Sequence, residues 1–179
     1  MLLLSDYIEM HHCIEDAKYC RRLVNLFDNN RTSIEHHDEP GYKFDQLNVN
    51  LVDLVGANQF AQMCQYYATA YFNRFGLSKY IPQYGFEEVR IKKYMPDDDS
   101  RFESHVDVMN HLTAKRFLTF IMYLTDNMAG ETEFLTLDIK IPCTRGNLLV
   151  FPPTWQYPHR GLKPIIEPKY ICMTTLHYL

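Results

Sequence analysis

The chain has 179 residues, 46% hydrophobic and 22% charged, which suffices for one sizeable core and is too apolar for a disordered segment. A formal net charge of -4, with no basic run, excludes a nucleic-acid binder working by bulk electrostatics. The 5 cysteines (Cys13, Cys20, Cys64, Cys143, Cys172) have no CxxC spacing, so they read as reduced core thiols rather than a disulfide framework or zinc ribbon. The start "MLLLSDYIEM" lacks the basic flank and the length of a signal peptide or membrane span, so a cytoplasmic protein with no membrane partner is expected.

In chain order, "EDAKYCRRLVNLFDNN" places Ala17, Cys20, Leu23, Val24 and Phe27 at helical spacing, predicting a helix from about 15 to 28. "FDQLNVNLVDL" alternates polar and apolar residues and reads as a half-buried strand. "ANQFAQMCQYYATAYFNRFG" returns to helical spacing, with Phe60, Met63, Cys64, Tyr67, Tyr71 and Phe75 on one stripe and Gly76 as a stop.

From Phe86 the period changes to two. "FEEVRIKKY", "RFLTFIMYL", "TEFLTLDIKI", "NLLVF" and "KYICMTTLHY" are short runs rich in β-branched and aromatic residues, each bounded by turn residues. The pattern predicts a single domain, 1–179, with a helical scaffold over about 1–85 and a β core over about 86–179. The expected fold class is mainly β, a sandwich, barrel or jelly roll with the N-terminal helices packed on one sheet.

"SHVDVMNH" carries the first chemical signal. Residues two apart on an extended strand share a face, so His105 and Asp107 aim at the same interior. "YPHRG" offers His159 as a third ligand, and two histidines with one carboxylate leave open positions on an ion, the ligand set of non-haem Fe(II) oxygenases. Lys169 opens the last run, where a turn returns it to the same pocket, a place to pair with the far carboxylate of a dicarboxylate such as 2-oxoglutarate.

With these residues the segment from about Val89 to Tyr178 resembles the prolyl 4-hydroxylase-like branch of the Fe(II)/2-oxoglutarate oxygenases, in family order: "VRIKKY" leading to "HVD", then "RFLTFIMYLTD", "AGETEF", "PCTRGNLLVFP", "HRG" and "KY". Three departures stand out: Ala129-Gly130 replaces a double glycine, Thr175 or Leu176 replaces a late aromatic, and the loop before the first ligand is the acidic "MPDDDSRF". The resemblance implies a double-stranded β-helix that holds Fe(II) through His105, Asp107 and His159. It implies 2-oxoglutarate held by Lys169, with Tyr94, Tyr123 and Thr132 nearby, and O2 as second cosubstrate. The implied activity hydroxylates a C–H bond, with release of succinate and CO2, in a prolyl residue of a peptide or protein. A free amino acid or other small molecule is the alternative substrate; a zinc hydrolase with the same ligands and a non-catalytic β module are the alternative functions.

The loop from Met95 to Phe102 before the first ligand and the "PPTWQYPHRG" segment that carries the third are expected to rim the site, giving Asp97, Asp98, Asp99, Trp155 and Arg160 as groove candidates. The acidic run suggests a preference for basic residues near the target, weakened by salt. His111 is expected outside the ligand set, Arg116 to brace the sheet, and His36-His37-Asp38-Glu39 to form a solvated loop.

Overall fold

Alternation of side chains across the strands decides where the core and the site lie. The computed structural model describes residues 2–13, 17–96 and 99–179. The chain runs β1 (Glu9–His12), α1 (Ala17–Asn29), β2 (Ile34–Glu39), β3 (Tyr42–Asn48), α2 (Val49–Val52), α3 (Leu54–Phe75), β4 (Tyr84–Phe86), β5 (Arg90–Tyr94) and β6 (Arg101–His105). It continues through β7 (Arg116–Tyr123), β8 (Thr132–Phe134), β9 (Ile139–Ile141), β10 (Asn147–Phe151), β11 (His159–Gly161) and β12 (Lys169–Tyr178). Each pairing is antiparallel, in the order β1-β10-β7-β12-β5-β3-β6-β11-β8-β9, with β2 beside β3 and β4 beside β12.

The long strand β12 shows how one sequence serves two cores. Tyr170, Cys172 and Leu176 face the helices, where they meet Leu23 and Phe27 of α1 and Phe60 and Cys64 of α3. Ile171 faces the other way, into a second cluster with Tyr123, Leu149, Phe151 and Phe134. Phe134 of β8 meets Phe151 of β10 edge to face at 5.0 Å, so the sheet curls until its two halves touch. This is the expected jelly roll, with α1 and α3 on one outer face. No described helix is long and apolar enough to cross a membrane.

The end of α3 falls where the sequence places it: Gly76 adopts φ 64, a left-handed cap that closes on Phe72 O. The start of the predicted first helix falls partly on residues outside the described ones, and α1 is described from Ala17.

Four expectations are corrected. The strand read in "FDQLNVNLVDL" stops at Asn48, whose side chain accepts from Asn50 N–H at 3.1 Å and starts a helical turn. Asp53 then accepts from Gly56 N–H and starts α3. "TEFLTLDIKI" is a hairpin of β8 and β9 rather than one strand, turned by a 3-10 segment and by Asp138 at φ 53. "FEEVRIKKY" is split between β4 and β5. The His36–Glu39 stretch is strand, not loop: β2 pairs along β3, and His36 Nδ1 meets Asp45 at 2.6 Å.

Candidate active site

The three candidate ligands converge because of strand register. His105, the last residue of β6, lies directly opposite His159 on β11, and their rings are 4.3 Å apart. Asp107 lies just beyond β6 rather than in it, at a bend where Asp107 N–H and Val108 N–H both donate to Pro153 O at 3.1 and 3.2 Å. The proline-rich loop before His159 therefore anchors the loop after His105. Asp107 Oδ1 is 3.5 Å from His105 Nε2 and 3.9 Å from His159 Nε2, and one ligand atom from each residue falls within 4.8 Å of the others.

The remaining polar atoms of the three are already engaged. His105 Nδ1 donates to Glu103 O at 2.8 Å and His159 Nδ1 to Tyr157 O at 3.1 Å. A carbonyl only accepts, so both rings carry the proton on Nδ1 and turn an Nε2 lone pair inward. Thr119 Oγ1 donates to Asp107 Oδ2 at 2.8 Å, which leaves Oδ1 facing the imidazoles. Burial would raise the Asp107 pKa, but its polar surroundings, His105, His159 and the Thr119 hydroxyl that donates to Oδ2, hold the carboxyl well below its usual range. Burial also pushes His159 down to about 4, against the pull of Asp107. A deprotonated carboxylate with two neutral imidazoles is the form that ligates a divalent ion, so the donor set fits one.

Around these ligands runs a cavity lined by inward residues of six strands: Lys92 and Tyr94, Phe102, Ile121, Thr132, Gly161, and Lys169 with Ile171. Lys169 is 2% exposed, no described carboxylate pairs with it, and its Nζ lies 5.1 Å from the Tyr94 ring centre. Burial lowers its pKa to about 8. Tyr123 does not line the cavity itself; its hydroxyl donates to Thr132 Oγ1 at 2.7 Å, which frees the Thr132 proton to point inward. Gly130, at φ 84, lets the chain pass Lys169, since a Cβ there would meet Lys169 Cδ at 3.1 Å. The left-handed position is thus the retained glycine, and Ala129 occupies one without positive φ.

The groove candidates fare differently. Arg160 points away from His159, as strand alternation requires, and pairs with Glu133 across β8. Trp155 is 78% exposed and lines neither this cavity nor its neighbour. Asp99 pairs with Arg101 beside a surface depression at Asp38 and Lys43, and Asp97 and Asp98 lie outside the described residues. His111 is exposed and away from both cavities. Arg116 does more than brace the sheet: it pairs with Glu87 and donates to Asp107 O at 3.1 Å, fixing the ligand loop.

Sequence reasoning missed Thr119, Phe102 and Lys92. Phe102 stacks on His105 at 3.7 Å. Thr119 sits four positions before Tyr123 on β7 and Lys92 two before Tyr94 on β5, so the period of two, counted from those tyrosines, could have found them. Thr119→Val keeps the shape but strips Asp107 Oδ2 of its donor, and metal affinity by titration should fall about 10–100-fold with little change in fold. Unchanged affinity would show that Thr119 does not orient the carboxylate.

Residues 89–177 match the 2OG-Fe(II) oxygenase superfamily. No curated protein matches the sequence. Among solved structures, a viral collagen prolyl hydroxylase of Paramecium Bursaria Chlorella virus-1, in complex with 2OG, shares 20% identity at a TM-score of 0.71, with 97% of both chains covered. A Pseudomonas putida prolyl-4-hydroxylase shares 14% at 0.69, covering 97% of this chain and 93% of that one. A Trichoplax adhaerens prolyl hydroxylase, in complex with a hypoxia inducible factor oxygen degradation domain peptide fragment, shares 14% at 0.66, covering 97% and 84%. These structures share the double-stranded β-helix fold. The zinc-hydrolase reading is not favoured, since the family match is to an oxygenase and a hydrolase has no use for the buried Lys169 that ends the cavity. With a matching family, a curled β-helix and a His-Asp-His cluster beside a buried lysine, the chain belongs to the 2OG-Fe(II) oxygenase superfamily and is a 2-oxoglutarate-dependent dioxygenase.

Proposed function

We propose that this dioxygenase hydroxylates a prolyl residue of a peptide or protein, with His105, Asp107 and His159 holding Fe(II) and Lys169 holding the C5 carboxylate of 2-oxoglutarate. The observation that carries the reading is the pair of cavities that share His105 and Asp107. One ends at the buried ammonium of Lys169, and the other is lined by Val106, Met109, Thr113, Arg116 and Thr175. A chelating dicarboxylate suits the first, and the molecule to be oxidised suits the second.

When bound, Fe(II) with 2-oxoglutarate and O2 supplies the oxidising power that turns a C–H bond into C–OH while 2-oxoglutarate becomes succinate and CO2. The chain's own residues position and shield. Lys169 and the Thr132 hydroxyl offer charge-assisted and neutral bonds to one carboxylate, with Tyr94 walling the cavity beside them. Phe102, Ile121, Ile171 and Met173 keep water from the reacting end. Thr175 stands in the second cavity where the family carries an aromatic late in the last strand, which widens the room for substrate. The likeness of 97% of the chain to prolyl hydroxylases supports proline as the target. A single domain acting in the cytoplasm belongs to the same reading, supported by thiols without CxxC spacing.

Mass spectrometry of proline-containing peptides incubated with the enzyme, Fe(II), 2-oxoglutarate and O2 tests it. The expected result is a gain of one oxygen on proline matched one to one by succinate. If peptides leave 2-oxoglutarate consumption at its peptide-free level while a free amino acid raises it, the substrate is a small molecule.

A further inference from the structure

Lys92 is a second buried cation in this site, and none of the roles assigned above uses it. It is 8% exposed, faces inward two residues before Tyr94, and has no ion pair among the described residues. Its Nζ lies 4.2 Å from the centre of the Phe44 ring and 4.9 Å from that of Phe102. Ring faces offset part of the desolvation of an ammonium and leave its N–H donors without acceptors.

Its place along the strands gives it a direction. On β12 the inward residues run Lys169, Ile171, Met173; Lys169 lines only the first cavity, and Met173 lines both. Lys92 lies opposite Ile171 in the register and lines both cavities, so it stands at their border. In the second cavity the other charges are matched: Glu87 pairs with Arg116 and Glu88 with Arg90, while Asp107 belongs to the ligand set. Asp107, Lys169, a divalent ion and a dicarboxylate already balance to zero, which makes the Lys92 ammonium the surplus charge of the loaded site. A buried cation without a counter-charge is costly to keep, and an anion arriving beside it is favoured.

We infer that Lys92 binds a carboxylate of the molecule being oxidised, so that the substrate carries an acid next to the reacting C–H. This rests on the second cavity being the substrate side, but not on proline being the target. The acid has two sources, the carboxylate of the oxidised residue itself or the side chain of a neighbouring Asp or Glu.

Calorimetry with protein loaded with Mn(II) and 2-oxoglutarate, which does not turn over, separates these. N-acetylproline against its amide probes the first source; acetyl-Pro-Asp-amide against acetyl-Pro-Asn-amide probes the second. At least tenfold tighter binding of the acid in one pair is expected, falling to within twofold in Lys92→Met and partly kept in Lys92→Arg. Affinity for 2-oxoglutarate, whose carboxylate is held by Lys169, should fall by less than tenfold in both variants. Equal binding of acid and amide in both pairs, weak or strong, overturns the inference. So does a preference that survives Lys92→Met, or a tenfold loss of 2-oxoglutarate affinity, which would assign Lys92 to the cosubstrate. Lys92→Gln, folded by its NMR fingerprint, repeats the comparison if Lys92→Met does not fold. N-acetylalanine isolates charge from ring: binding as tight as that of N-acetylproline overturns the prolyl reading and leaves the Lys92 inference standing.

Discussion

His159→Ala abolishes metal binding and turnover while the β-helix stays folded. The ring is 4% exposed, opposite His105, and within reach of Asp107, so its loss removes one of three donors and no other residue among the described ones stands ready to replace it. Its removal leaves a cavity against Phe134 and Phe151, a cost of about 2–4 kcal/mol by analogy with large-to-small core changes, which a packed sheet of this size tolerates. Metal analysis after dialysis should show about one ion per wild-type chain and none in His159→Ala, with a matching loss of succinate formation. His111→Ala, which alters an exposed turn, should keep both. Equal metal content in wild type and the His105→Ala, His159→Ala double variant would remove the site.

Lys169→Met weakens 2-oxoglutarate binding by two to three orders of magnitude and stabilises the ligand-free protein. A C5 carboxylate buried without its cation costs about 3–5 kcal/mol, as for one partner of a broken buried pair. The gain in stability has a separate origin. Burial lowers the Lys169 pKa from 10.5 to about 8. Because the folded value lies below the unfolded one, the empty folded protein at pH 7 carries a charge it disfavours by on the order of 3 kcal/mol. That cost fades as pH rises through about 8 towards 10.5, so the stability advantage of Lys169→Met should shrink over this range. Over the same range the wild type loses the ammonium that 2-oxoglutarate needs, so its affinity should fall with pH above about 8, and that of Lys169→Met should stay flat. Denaturant titration and calorimetry at a series of pH values check the two effects independently. Unchanged 2-oxoglutarate dependence in Lys169→Met refutes the assignment.

The ligand set was legible because His-x-Asp, a distant histidine and a strand-leading lysine each point to chemistry that a plain core has no use for. How they meet was not. Asp107 owes its position to Pro153 O, Thr119 and the Arg116 donor rather than to strand alternation, and those contacts span segments that the sequence leaves unrelated. Lys92 and Lys93 are adjacent, and alternation picks out Lys92 only once Tyr94 is known to face in. The ladder shows that it does, turning Lys92 to the cavity and Lys93 towards Asp28. Arg160 was misplaced for the opposite reason: nearness in sequence to His159 outweighed the alternation that sends it to Glu133. The helical turn after Asn48 was written in its capping residues, Asn48 and Asp53, but the polar-apolar alternation through them imitates a strand.

Anaerobic calorimetry of 2-oxoglutarate with and without Fe(II) tests most directly that a cosubstrate bridges the His105–Asp107–His159 cluster and Lys169. One molecule should bind per chain. The ion and the dicarboxylate should raise each other's affinity by the same factor, as linkage requires, and Asp107→Asn should abolish that coupling. Binding of 2-oxoglutarate that is equally tight without Fe(II), and unaffected by Asp107→Asn, would contradict the account.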